Sequence, residues 1–226
     1  MTFPDLVERV ADARDRIEQA VVRGGHRQTV TLVAVTKSHG PEAPRAAWAA
    51  GVHDVGENKV QEALTKMAAV DVPLRWHLIG HLQRNKVKQV DGFTLVHSMD
   101  SARLADALHE HGVQRERAVD VLLQVNASGE QSKGGFASSE VLAEAERLAT
   151  MAGLRVRGVM TLAPFDAEEG ALRAVFAAAR QARAVLAAAG HPAVELSMGM
   201  SNDYEIAVEE GATCVRLGTA LFGARS

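Results

Sequence analysis

Short apolar runs alternate with longer amphipathic, alanine-rich segments from one end of the chain to the other. The apolar runs, rich in Val and Leu, predict eight β-strands at 30–36, 52–55, 74–79, 93–97, 119–125, 155–160, 194–197 and 214–217. The segments between them predict seven helices at 41–50, 57–69, 83–90, 101–111, 138–151, 167–189 and 202–210. One more helix, at about 5–23, is predicted before the first strand.

This alternation predicts an α/β fold with an all-parallel sheet, because each parallel crossover needs about a dozen residues. Eight βα units at this spacing favour a (β/α)8 TIM-type barrel over an open sheet. No linker rich in Gly, Ser or Pro divides the sequence, so residues 1–226 are predicted to form a single domain. Only TALFGARS follows the last predicted strand. We therefore expect a truncated last helix, with the extra N-terminal helix covering part of the gap.

The composition and net charge argue against several classes of function. A formal net charge of −3 gives no bulk attraction to nucleic acid or anionic membranes, and the basic cluster Arg84, Lys86 and Lys88 is interpreted as a solvated helix face. The one cysteine, Cys214, excludes an internal disulfide or a thiolate metal cluster. The sequence has no segment typical of a signal peptide or a membrane span. We predict a cytoplasmic monomer that binds neither nucleic acid nor membranes.

Polar and ionisable residues gather at the predicted carboxyl ends of the strands, where the active site of a parallel barrel lies. The strand interiors, in contrast, are predicted to be apolar. The candidates at the strand ends are Lys37, Glu57, Asn58, His77, His81, His97, Ser98, Asn126, Met160, Thr161 and the segments 197–201 and 216–219.

Lys37 directly follows the first predicted strand and should point into the mouth of the barrel. A lysine there can lose its proton when it is desolvated or near other cations, and then attack an aldehyde to form an imine. The alternative is a lysine whose charged end extends to solvent. The other lysines fall in predicted helices or a loop: Lys59, Lys66, Lys86, Lys88 and Lys133.

Two segments place Gly beside Ser or Thr after the seventh and eighth predicted strands; they contain Met200 and Ser201, and Gly218 and Thr219. Small residues let backbone N–H groups approach a phosphate, and hydroxyls and a helix N-terminus add favourable interactions. The same barrel loops commonly bind phosphate. Two ordinary turns, with Ser201 or Asn202 as a helix N-cap, remain the alternative. Together with a nucleophilic lysine, the segments indicate a phosphorylated aldehyde as ligand.

Arg216 would lie near the far end of a ring-shaped ligand. Beside a pyridine nitrogen an arginine can only donate, so the nitrogen stays unprotonated and the ring is a weaker electron sink. A salt-bridged barrel arginine is the alternative interpretation.

His77 and His81 are spaced like a metal pair, but the Glu and the helix of a zincin motif are missing, so no metal site is predicted. Asn126, Ser132 and Lys133 belong to a polar loop that is either a lid or a solvated connection.

Blocks spread over nearly the whole chain resemble the YggS/PROSC family of pyridoxal phosphate homeostasis proteins, which share a fold with the N-terminal domain of alanine racemase. The blocks are LVAVTK (32–37), GENKVQEA (56–63), WHLIGHLQRNK (76–86), HSMDS (97–101), LLQVNASGEQSKGGF (122–136), RGVMTLAP (157–164), LSMGMSNDYEIAVEEG (196–211) and VRLGTALFG (215–223). Departures at Gly135, Ala163 and His39-Gly40 lie in loops and leave the contacts of the lid open.

The resemblance implies that pyridoxal 5′-phosphate is the cofactor and that Lys37 holds it as a Schiff base. It also implies that Asn58 lies against the cofactor and that Arg216 faces the pyridine nitrogen. The phosphate would be held by Ser201, Gly218, Thr219 and the backbone of Met200.

Two function classes follow from this resemblance. The first is a pyridoxal phosphate homeostasis protein without substantial turnover, with apoenzymes that require the cofactor as candidate partners. The second is an amino-acid racemase of the alanine racemase type, which needs two bases, commonly a lysine and a tyrosine. The only tyrosine, Tyr204, lies in the seventh predicted helix, and the sequence ends just after the barrel, so we favour the first class. A sugar-phosphate lyase or aldolase would fit Lys37 but not the matching blocks.

Overall fold

The computed structural model describes residues 3–130 and 134–223. The strands of this part are β1 Thr31–Val35, β2 Asp54–Glu57, β3 Arg75–Leu78, β4 Leu95–Met99, β5 Val119–Asn126, β6 Phe136–Ala137, β7 Leu154–Met160, β8 Glu195–Ser197 and β9 Cys214–Leu217. The helices are α1 Leu6–Gly24, α2 Glu42–Ala49, α3 Val60–Ala69, α4 Ala102–Gln114, α5 Val141–Leu148, α6 Glu169–Ala188, α7 Tyr204–Glu209 and α8 Thr219–Phe222. Two 3₁₀ helices span Arg84–Gly92 and Ser138–Glu140.

The strands form a closed parallel barrel. Among the described residues, eight strands follow one another in the order β1-β2-β3-β4-β5-β7-β8-β9, and β9 pairs with β1 to close the ring. Every one of these pairings is parallel, and α2–α7 lie in the connections between strands, whereas α1 precedes β1 and α8 follows β9. The predicted (β/α)8 barrel is confirmed. The two-residue β6, which pairs with the end of β5, was not predicted.

Several element boundaries differ from the prediction in ways that matter for the site. Helix α3 begins only at Val60, because Lys59 before it has an extended backbone, and Asn58 therefore lies in the loop between β2 and α3. The helix predicted at 83–90 is a 3₁₀ helix. Strand β4 continues to Met99, so His97, the last residue of the predicted strand 93–97, lies in the middle of the observed one.

The extra N-terminal helix packs beside the short last one. Helix α1 contacts α7 and α8, and Arg9 donates a hydrogen bond to the carbonyl of Leu221 in α8. Arg16 and Arg23 of α1 form ion pairs with Glu205, and Arg23 also pairs with Glu209. These contacts fix α7, which follows the loop that contains Ser201. None of the described helices has the length and apolar character that crossing a membrane requires.

The prediction of apolar strand interiors is wrong for one part of the barrel. Asp54, His77, His97, Ser197 and Arg216 come from five different strands, and all are buried. The apolar strand residues, mostly Val, Leu, Ala and Met, belong to the hydrophobic core. The interior therefore combines the expected packing with a continuous group of polar side chains.

Candidate functional site

The carboxyl ends of the strands surround a cavity of about 740 Å³. This size is typical of small-molecule sites. The cavity is lined by every residue that the sequence predicted for the ligand: Lys37, Asn58, Met200, Ser201, Arg216, Gly218 and Thr219. Apolar side chains, among them Val35, Ile79 and Met160, supply much of the remaining wall.

Lys37 is half-buried and follows β1 by two residues. The backbone on both sides of it is held by buried charges. Lys66 of α3, only 3% exposed, donates hydrogen bonds to the carbonyl of Thr36 at 2.8 Å and to Glu57 at 2.7 Å. The Thr36 hydroxyl donates a second hydrogen bond to Glu57, at 2.5 Å.

Ser38, on the other side of Lys37, has a left-handed backbone with a φ of 66°. Its N–H donates to Glu62 at 2.6 Å, and Glu62 also accepts a hydrogen bond from Lys66 at 2.8 Å. Burial opposes the ionisation of Glu62, but the hydrogen bonds from Lys66 and Ser38 outweigh it and lower the pKa of that carboxyl. Burial raises the pKa of Glu57, although Lys66 and Thr36 oppose the shift.

This group of Lys66, Glu57 and Glu62 was not recognised as a unit from the sequence. A signal was present, because Lys66 shares the buried face of α3 with Val60 and Ala63. A lysine on a buried helix face is rare unless it is paired.

Asn58 reaches the cavity because a glycine lies opposite it. A Cβ atom at Gly80 would be only 2.5 Å from the carbonyl oxygen of Asn58, so a larger residue there would displace the loop after β2. Both residues line the cavity.

The loops after β8 and β9 are joined by Ser201. Its hydroxyl oxygen accepts hydrogen bonds from the N–H of Ala220 at 3.1 Å and of Gly218 at 3.4 Å. The hydroxyl proton of Ser201 is still available for a ligand oxygen. Ser201 is therefore not the helix N-cap: that position is occupied by Asp203, which also accepts the N–H of Met200 at 2.6 Å.

Gly199 allows the first of these loops to approach α7. It has a φ of 92°, and a Cβ atom there would lie 2.7 Å from the Cβ of Ala207. Thr219 begins α8 and is exposed at the cavity wall, with Gly218 as the residue before it.

Arg216 enters the cavity from β9 and is otherwise buried. Its guanidinium donates to the hydroxyl of Ser197 at 2.5 Å and to the carbonyl of Thr161 at 2.9 Å. Burial lowers the pKa of Arg216. The Ser197 oxygen lies 2.9 Å from Nδ1 of His97.

The hydrogen bonds continue from His97 through the barrel interior. Nε2 of His97 is 2.8 Å from Nδ1 of His77, and Nε2 of His77 is 3.0 Å from Asp54. Asp54 also accepts two hydrogen bonds from Arg75, at 2.7 and 2.5 Å. Burial opposes the ionisation of Asp54, but the hydrogen bonds from His77 and Arg75 lower its pKa to about 2. Burial, with the nearby His77 and Arg216, lowers the pKa of His97 well below its usual value, so its ring is neutral.

The remaining strand-end candidates have other roles. His77 lies inside the barrel, whereas His81 lines the cavity and is hydrogen-bonded to Asp100 at 2.8 Å. The described residues contain no cluster of metal-ligating side chains. Asn126 accepts the N–H of Gly129 at 3.1 Å and so organises its own turn. Ser132 and Lys133, predicted for the same loop, lie outside the described residues.

Comparison with known proteins gives a consistent result. The family model of the alanine racemase N-terminal domain matches residues 14–226. The pyridoxal phosphate homeostasis protein of Pseudomonas aeruginosa is 44% identical over 223 residues, which cover 97% of this chain and 96% of that protein. The protein of the same name from Escherichia coli K12 is 36% identical over 230 residues, covering 98% and 97%.

Solved structures agree with these sequence matches. PipY of Synechococcus elongatus, solved with pyridoxal phosphate bound, superposes with a TM-score of 0.84 at 36% identity and covers 96% of this chain and 100% of that one. Alanine racemase from Corynebacterium glutamicum has a TM-score of 0.73 at 17% identity, covering 93% of this chain and 61% of that one, and so shares the fold.

Proposed function

The chain belongs to the family of pyridoxal phosphate homeostasis proteins, and we propose that it binds pyridoxal 5′-phosphate in the cavity at the barrel mouth. It holds the cofactor as a Schiff base on Lys37 and serves intracellular homeostasis of the cofactor without substantial turnover of its own. One observation is the main support for this proposal. Lys37, Arg216 and the two loops that contain Ser201 and Thr219 line the same cavity.

The residues fit the phosphate end of the cofactor. The hydroxyls of Ser201 and of the exposed Thr219 supply hydrogen-bond donors at the start of two helices, whereas the N–H groups of Met200 and Gly218 already donate to Asp203 and Ser201. Donors of this kind, with a favourable helix dipole, suit a phosphate dianion. No acidic side chain other than Asp203 lines these two loops, and Asp203 is engaged by the N–H of Met200.

The residues also fit the other end of the ligand. Arg216 cannot accept a proton, so a pyridine nitrogen beside it stays an unprotonated acceptor. When bound, pyridoxal phosphate supplies a reactive aldehyde and a ring that withdraws electrons. Arg216 limits the second property. Asn58 and the apolar side chains Val35 and Met160 line the same cavity.

The alternative function is an amino-acid racemase. Tyr204 does not serve as its second base, because the ring is buried in α7 and packs against Arg16 at 5.6 Å. His81, held by Asp100 at the cavity wall, is the described group most suited to that role. The racemase hypothesis can therefore be tested. Exchange of the substrate Cα proton for deuterium that is lost when His81 is replaced would favour it.

The proposal also includes the compartment, the oligomeric state and the partners of the protein. We place the protein in the cytoplasm, as a monomer that passes the cofactor to apoenzymes which require it. The even mixture of charges and the single buried cysteine support a protein of a reducing compartment. PipY, of similar length and fold, was solved with the cofactor bound, which supports binding by this chain.

Borohydride reduction tests the proposal directly. The purified protein should be yellow, and reduction should fix the cofactor to the peptide that contains Lys37. Lys66 and Lys59 provide internal controls, one buried beside Lys37 and the other exposed. Labelling of Lys59 or Lys66 with Lys37 unmodified would overturn the assignment. The Lys37→Ala variant should lose the aldimine absorption band yet keep weak affinity, because the phosphate loops do not depend on Lys37.

A further inference from the structure

Five side chains connect the ligand cavity with the opposite end of the barrel. We call them the relay: Arg216, Ser197, His97, His77 and Asp54. Consecutive members are joined by hydrogen bonds of 2.5, 2.9, 2.8 and 3.0 Å. Arg216 lines the cavity at the carboxyl ends of the strands, whereas Asp54 begins β2 at the amino-terminal end.

Asp54 determines the direction of every bond in the relay when each of the two histidine rings carries a single N–H proton. A guanidinium can only donate, and an ionised carboxylate can only accept. His77 therefore donates from Nε2 to Asp54, which leaves its Nδ1 as an acceptor when the ring is neutral. His97 must then donate from Nε2 to His77, and its Nδ1 must accept. The Ser197 hydroxyl consequently donates to His97 and accepts from Arg216.

In this order, the acceptor atom of each relay member faces the neighbour on the Arg216 side. The lone pairs of Ser197 face the guanidinium, and each further dipole points the same way until the charge of Asp54 is reached. Hydrogen bonds aligned in this manner polarise one another. With the opposite order, the Nδ1–H of His97 would point toward Ser197, and its positive end would face the buried cation. Through these aligned hydrogen bonds, the negative charge of Asp54 stabilises the positive charge of Arg216 at the cavity.

We propose that His97 and His77 are positioning residues for the ligand, fixing Ser197 and through it the guanidinium that meets the pyridine nitrogen. Asp54 sets the direction of the relay. The inference rests on the proposed function, since it assigns these residues to the ring end of the same site. Neither histidine lines the cavity, so their effect on a ligand passes through Arg216.

A ligand analogue separates this role from a structural one. In 1-deazapyridoxal phosphate a C–H group replaces the pyridine nitrogen, so Arg216 has no acceptor on the ring. Dissociation constants for pyridoxal phosphate and this analogue are measured with the wild type, Asp54→Asn and His97→Asn. We expect both variants to bind pyridoxal phosphate about tenfold more weakly, as for loss of one charge-assisted hydrogen bond. Their affinity for the analogue should change by less than about twofold.

A matched control uses a buried histidine outside the relay. His111 is 7% exposed and lies 2.6 Å from Asp91, but it is outside the cavity wall. His111→Asn should leave the affinity for both ligands unchanged. Equal weakening of both ligands by Asp54→Asn, or no weakening of either, would overturn the proposal.

A second measurement needs neither ligand nor variant. In the ligand-free protein labelled with ¹⁵N, NMR should show both His77 and His97 protonated at Nε2 and not at Nδ1. Protonation of His97 at Nδ1 would reverse the relay and refute the inference, even if the variants did not fold. A wild-type protein that does not bind pyridoxal phosphate would instead refute the proposed function, and the tautomer result would show whether the relay direction is correct.

Discussion

Replacing Lys66 with methionine removes the cation beneath Lys37 while keeping most of the length of the side chain. Lys66 makes three hydrogen bonds, to Thr36, Glu57 and Glu62, and its partner Glu57 is fully buried. Without Lys66, Glu57 must either remain charged in the interior or take up a proton. Breaking a buried ion pair by removing one partner costs about 3–5 kcal/mol.

The loss of unfolding free energy in the Lys66→Met variant depends on the pH. Protonating a carboxyl with the ordinary pKa of 4.5 costs about 3.4 kcal/mol at pH 7 and about 1.4 kcal/mol at pH 5.5. Burial raises the pKa of Glu57, so between 4.5 and that raised value the folded state binds more protons than the unfolded state. Stability then falls as the pH rises. Without Lys66, which lowers the pKa of Glu57, the variant should therefore regain up to about 2 kcal/mol on going from pH 7 to pH 5.5.

Denaturant unfolding of the ligand-free protein at both pH values measures this effect. Adding Glu57→Gln to Lys66→Met should remove most of the pH dependence, since no titratable group then remains at position 57. Lys59→Met, an exposed change in the residue before α3, should stay within about 0.5 kcal/mol of the wild type. A cost below about 1 kcal/mol at pH 7, or one that does not shrink at pH 5.5, would show that Lys66 and Glu57 are not a charged pair.

Three other predictions concern the cavity and its surroundings. Ser201→Ala combined with Thr219→Ala should weaken pyridoxal phosphate at least about tenfold while affecting unphosphorylated pyridoxal little; titration with both ligands decides, and equal weakening would show that the hydroxyls do not touch the phosphate. The Cys214 thiol is buried and its pKa is raised to about 12, so in the folded protein at pH 8 it should react with a disulfide reagent on the order of a thousandfold more slowly than after unfolding; fast reaction would contradict its burial. With L-alanine in D₂O, the protein loaded with cofactor should produce no D-alanine at about 1 s⁻¹ or faster; inversion at that rate that disappears in His81→Asn would identify His81 as a second base.

The barrel and the residues of its mouth could be predicted because both depend on local pattern. Strand and helix periods differ, and the carboxyl end of each strand follows from the period, so Lys37, Asn58 and Arg216 could be placed at one face. The ends of the strands could be predicted less closely. His77 and His97 lie near the predicted ends of their strands, but the structure places them inside the barrel.

The relay and the group around Lys66 could not be predicted for a different reason. The relay joins side chains distant in sequence, such as His97 and Ser197, which are 100 residues apart. The partners of Lys66 are nearer, with Glu57 nine and Glu62 four residues away, but their approach depends on how α3 packs against β2. Whether a polar residue faces the interior of a closed barrel or a helix depends on strand stagger and twist, which single strands do not show. Lys66 gave a partial signal by its place on the buried face of α3. The partner Glu57 looked like one more polar residue at a strand end.

In the proposed complex, the two buried polar groups would act on different parts of the ligand, and both would act indirectly. The Lys66 group holds the backbone around Lys37 through the carbonyl of Thr36 and the N–H of Ser38. The relay holds Arg216 at the other end of the cavity. Buried charges are costly compared with apolar packing, so such groups mark places where fixed geometry matters more than stability. Neither group offers an acceptor for a substrate proton inside the cavity: the carboxylates are engaged by Lys66 and Arg75, and the neutral His97 lies behind Ser197. The interior of this barrel is therefore arranged to bind and orient a reactive aldehyde, and proton transfer would depend on groups of the cavity wall such as His81.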